Sequence, residues 1–127
     1  MSILKVNTLE EATSGGATFF TAKAWVNFNG TGTVAIRDSG NVSSITDNST
    51  GLYTANLTNA MANSNYEVSG SAGNSTSTVS QEIIFYGSNV TPVSPSTTAV
   101  GTKVINSAAT AIQDAAYVTF AVFGDLA

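Results

Sequence analysis

The groups that could do chemistry in this chain are its eight carboxylates, one arginine (Arg37), three lysines and four tyrosines; it has no histidine and no cysteine. Without histidine the commonest general base and transition-metal ligand is missing. Without cysteine there is no disulfide framework, zinc-thiolate site or thiol nucleophile. Glu67 and Glu82 are two acids that could act as a glycosidase pair. They stand alone, with no aromatic-rich stretch to line a cleft. Asp38 and Asp47, with Asn41 or Asn48, could hold calcium, but the regular alternation of acids in a calcium loop is absent and Asp is routine at turns. Gly30-Thr31-Gly32 lacks the lysine and helix that follow a phosphate loop, so it reads as a hairpin turn. No catalytic, cofactor or metal residue emerges, and the expectation is a chain that is not an enzyme.

The elements that would carry a function are legible in the periodicity. Ala24, Val26 and Phe28 share one parity, as do Val34 and Ile36, with Asn29-Gly30-Thr31-Gly32 between them. Alternation means a strand with one buried face, and Asn-Gly favours the positive φ of a tight turn. Asp47-Asn48-Ser49-Thr50-Gly51 is a second turn cluster. Strands are expected at about 17–28, 33–38, 41–46, 51–58, 65–71, 77–87, 99–105 and 116–123, with Tyr53, Ala55 and Leu57 on one face of the fourth. Residues 81–86 and 117–123 are apolar on both parities, so both of their faces should be covered. Residues 87–96 hold both prolines and read as a loop. The one helix-compatible segment, 105–116, is short and reads better as a loop.

A length of 127 residues suits one domain. Ser, Thr and Asn exceed a third of the chain, which suits strands and turns better than helices. The fold expected is all-β, an antiparallel jelly-roll-like β-sandwich over residues 17–127. Before it stands an N-terminal arm, 1–16, in which Ile3, Leu4 and Val6 are the candidate anchoring residues and Ser14-Gly15-Gly16 the hinge. A net charge of −4 with a single arginine argues against nucleic acid as a partner. No apolar run approaches the ~20 residues of a membrane helix, and the first residues lack the pattern of a secretory signal. The Asn-X-Ser/Thr sequons at Asn29, Asn41, Asn48, Asn56, Asn74 and Asn89 are explained by composition and turn chemistry. Phe19 and Trp25 fall on the parity opposite the core-facing residues of their strand, with Lys23 and Asn27. That mixed face could be a sugar platform or a contact between subunits. Subunit contact is the favoured reading, with Phe85 and Phe123 on the doubly apolar strands as further contacts.

The wording of the chain adds a resemblance. FNGTGTVAIRDSGNVSSITDNSTGLYT, continuing through ANLTNAM, resembles a module found near the end of bacteriophage tail-fibre proteins, particularly those of marine phages. The opening SILKVNTLEEATSG is similar to the starts of such fibre chains, Ala60–Val68 to the module's next strand, and the ending AVFGDLA to their tails. The resemblance implies a homotrimeric β-rich protein on the exterior of a virion, made in the host cytoplasm. It further implies attachment to other phage structural proteins and contact with the host surface, with glycan as one such receptor. Typical fibres carry a long shaft before the module, whereas here a short arm leads straight into it. That departure leaves open a capsid decoration, head-fibre or cement protein that binds no receptor.

Overall fold

The computed structural model describes residues 3, 21–74, 81–85, 96–106 and 111–127; within 81–85 it describes the backbone and the Ile83 side chain. Eight strands follow one another: β1 (Ala24–Asn29), β2 (Ala35–Gly40), β3 (Val42–Ser49), β4 (Leu52–Leu57), β5 (Glu67–Gly73), β6 (Gln81–Phe85), β7 (Ala99–Asn106) and β8 (Tyr117–Phe123). They form two four-stranded antiparallel sheets, ordered β2-β1-β8-β5 and β3-β4-β7-β6. All eight expected strands are present, and the described part of 105–116 contains no helix. The expected strand at 17–20 and the expected proline loop fall largely outside the described residues, as do Leu4, Val6, Phe19 and the Phe85 side chain. Ile3 is described and largely exposed.

Alternation fixes which side of each strand is buried. On β1 the buried residues are Ala24, Val26 and Phe28; on β8 they are Val118, Phe120 and Val122. The other sheet contributes Tyr53 and Ala55 from β4 and Val100 and Val104 from β7 to the same core. Met61 and Tyr66, from the connection between β4 and β5, complete it. Full burial of each large side chain contributes roughly 1.5–3 kcal/mol. The outer parity of β8 is only partly covered: Tyr117 is exposed, and Thr119, Ala121 and Phe123 are half-buried. Two-sided burial, expected of 117–123 from its composition, is therefore not supplied by the described residues.

Turn chemistry departs from the expectation in one place. Positive φ in the β1–β2 turn falls on Gly32 (φ 62°), not on Gly30 of the Asn-Gly pair. Asn29 instead closes a turn with its side chain, whose Oδ1 accepts from Thr31 N and Oγ1 while Nδ2 donates to Thr31 O. The crossing from the first sheet to the second is made at Asn41, the one non-glycine residue with positive φ (58°) among those described. Its amide is clamped to Asn59, accepting from that residue's N at 2.7 Å and donating to its O at 3.1 Å.

Candidate functional site

The strand register sorts the connections onto two ends. β1 starts at Ala24, beside Val122 and near Gly40 of β2. The β2–β3 crossing, Met61 and the final residues lie at this proximal end, where Met61 and Leu126 bridge. The β1–β2 turn, the β3–β4 turn at Thr50-Gly51 and residues 111–116 meet at the other, distal end. There Gly30 N donates to Ala115 O at 2.8 Å, and Gly51 N donates to Asp114 Oδ1 at 2.7 Å.

Tyr53 organises this distal cluster. Its ring is buried and meets Phe28 edge-on at 5.2 Å. Its single hydroxyl proton is shared between Gly30 O at 2.8 Å and Asp114 Oδ1 at 2.9 Å. Gly30 is required here for space: a Cβ would lie 2.5 Å from the Tyr53 hydroxyl and 2.9 Å from Ala115 O. Asn74 fastens the segment from β5, accepting from Ala116 N. Arg37 is the extra residue of a β-bulge opposite Asn27 and Phe28. It reaches Ala116 O at 2.6 Å and Asn27 Oδ1 at 3.2 Å, and stacks 4.5 Å from the centre of the Tyr117 ring. The turns are thus held from below by a buried node, while Gly32, Thr33, Ser49, Thr50 and Ile112 face solvent.

Burial first, then the hydrogen bond to Asp114 and the charge of that carboxylate, hold the Tyr53 phenol protonated well above the ordinary tyrosine range. An unfolded tyrosine loses its proton near pH ~10. The unfolded chain therefore ionises first, so the contribution to stability is complete below that pH and is lost as pH rises beyond it. The melting temperature of the wild type should fall above about pH 10 and fall less steeply in a Tyr53→Phe variant. Equal slopes would show that this phenol does not govern the alkaline limb.

The second exposed surface is the outer face of the first sheet. Trp25 is 41% exposed and lies against Gly40, where a Cβ would meet its indole nitrogen at 2.4 Å. Beside it runs a groove of about 400 Å³, lined by Trp25, Asn27, Ser69, Gly70, Thr119 and Ala121. Phe123 follows Ala121 on the same parity, so the structure brings two of the four expected subunit-contact residues, Trp25 and Phe123, to one face. Glu67 is on this sheet and accepts from Ser69, while Glu82 is on β6 of the other sheet. Asp38 and Asp47 likewise lie on strands of different sheets. Among the described residues, no group of three or more acids could hold a metal ion.

Asp114 and Arg37 are the organising side chains that sequence reasoning missed. Asp114 had a signal: it is the only charged residue between Lys103 and Asp125, in a stretch otherwise apolar or neutral. A lone carboxylate there invites the question of which donors it serves. Arg37 carried no such mark, because its partners come from 10 and 79 residues away. No protein-family model, curated protein or solved structure matches this chain.

Proposed function

We propose that this chain is an exterior protein of a bacteriophage virion, a short fibre that carries its outward surface on the distal turns and is used in attachment to the host. The likeness of residues 24–58 to the phage fibre module supports the phage assignment. The observation that carries the attachment reading is the separation of ends. The strand that follows the arm enters at the proximal end, and the β1–β2 and β3–β4 turns gather at the opposite one around the Tyr53 node. An arm seated in a particle would therefore point the turns outward.

In this reading the two sheets form a jelly-roll-like sandwich, and three copies associate through the outer faces that carry Trp25 and Phe123. Ile3, Leu4 and Val6 seat each arm on another phage structural protein, adding a strand or packing on a neighbouring chain. The exposed hydroxyls and amides of the turns suit a polar receptor such as surface glycan. Purified protein, added in excess to susceptible cells before infection, should occupy the receptor and reduce phage adsorption. An Ile112→Arg variant, altered only at the exposed distal turn, should compete poorly. A protein that is present on the virion but never competes would instead be a decoration or cement protein.

A further inference from the structure

Asn29-Gly30 is the only Asn-Gly pair in the chain. In such a pair the glycine nitrogen has no neighbouring Cβ to shield it. Once deprotonated, it can attack Asn Cγ. The new N–C bond closes a succinimide, the Cγ–Nδ2 bond breaks and ammonia leaves. Water then opens the ring to aspartate or isoaspartate, without oxidant or cofactor. The other asparagines are all followed by residues with a Cβ.

The fold holds every atom of this reaction away from it. Gly30 N–H, the nucleophile, is committed to Ala115 O at 2.8 Å. Gly30 O accepts the Tyr53 hydroxyl, and the ring of Tyr53 occupies the space beside its Cα. The leaving amide of Asn29 donates to Thr31 O at 2.7 Å and Thr33 O at 3.4 Å, and its carbonyl accepts from Thr31 N and Oγ1. Ala115 is in turn held by its neighbour Asp114, whose Oδ1 accepts hydrogen bonds from Gly51 N and the Tyr53 hydroxyl.

We propose that Asn29 is the deamidation site of this protein and that the Tyr53–Asp114 clamp gates it: the pair is inert while residues 111–116 are docked and reacts when they open. The product would be a permanent mark of opening. Isoaspartate adds a main-chain atom at the end of β1 and moves the side-chain carboxylate off the bonds that Asn29 makes to Thr31, so the β1–β2 turn would lose its present form while the body stays folded.

The test follows amide-to-acid conversion by mass spectrometry and peptide mapping in mildly alkaline buffer. Wild type in urea should convert at Asn29 first, and native wild type at least about tenfold more slowly, as expected for a site that reacts only on local opening. Folded Asp114→Ala should convert at least about tenfold faster than native wild type, since it loses the bonds from Gly51 N and Tyr53 to a charged group. Should that variant not fold, Tyr53→Phe takes its place. A core variant with Val100→Ala and Val122→Ala, matched in melting temperature, should keep the wild-type rate. Equal rates in native and unfolded wild type would overturn the proposal. Equal acceleration in the core variant would overturn the gate, by making global unfolding the route.

Discussion

Replacing Phe28 with alanine should destabilise the protein by about 3–5 kcal/mol, the usual scale for emptying a buried aromatic position. Phe28 is fully buried, sits on the central strand β1 and meets the Tyr53 ring edge-on at 5.2 Å. The edge contact adds roughly 0.5–1.5 kcal/mol beyond the buried area. The cavity would open between the two sheets beneath the node that carries the distal turns. Denaturant unfolding should show the loss as a lower midpoint at unchanged slope. The control is Trp25→Ala on the same strand, one parity away, read at a protein concentration low enough to separate the copies, where the ring is 41% exposed and its loss should be far milder. At concentrations where copies associate the cost of Trp25→Ala should grow, because the proposed contact between copies covers this face.

The second large effect is expected from Asp114→Ala. This removes the acceptor of Gly51 N and one of the two acceptors of the Tyr53 proton. Hydrogen bonds to a charged group contribute roughly 1.5–3 kcal/mol each, and a buried donor left alone adds its own desolvation penalty. A total near 2–4 kcal/mol follows, since Tyr53 keeps Gly30 O as a partner. Asp114→Asn keeps an acceptor and should recover part of the loss. Because Asp114 and Tyr53 share one bond, the Asp114→Ala and Tyr53→Phe effects should be less than additive, with a coupling of roughly 0.5–3 kcal/mol. Strict additivity would mean that the two side chains stabilise the turns independently.

The strands were legible because their information is local. Ala24-Val26-Phe28 and Tyr53-Ala55-Leu57 declare a buried face by alternation, and the glycine-bearing clusters declare where strands stop. The turn at Gly32 and the crossing at Asn41 were legible only in kind. Which residue takes positive φ depends on what else must fit, and at Gly30 the demand was for space beside Tyr53 rather than for an unusual dihedral. The sheet order was not legible at all. Placing the last strand, β8, between β1 and β5 pairs residues about a hundred positions apart, such as Ala24 with Val122, and no local pattern encodes that. The candidate site shares this difficulty. Gly30, Gly51, Tyr53, Asp114 and Ala115 come from three separate stretches that only the completed topology joins. The aromatic face was legible in part. Trp25 falls on the solvent parity by alternation, while its rest against Gly40 required the β1–β2 register.

In the proposed function the chain stands on the outside of a phage particle with its distal turns outward. The test is gold-labelled antibody raised against the folded body, applied to intact virions of a phage whose genome carries this coding sequence and viewed by electron microscopy. The proposed function predicts surface label on intact particles, at the tail for an attachment fibre. It also predicts that antibody selected for the distal turns labels as well as antibody to the whole body. Label spread over the capsid would retain the virion protein and replace attachment by decoration. Particles free of label, with the protein found only in infected-cell lysate, would overturn the proposed function.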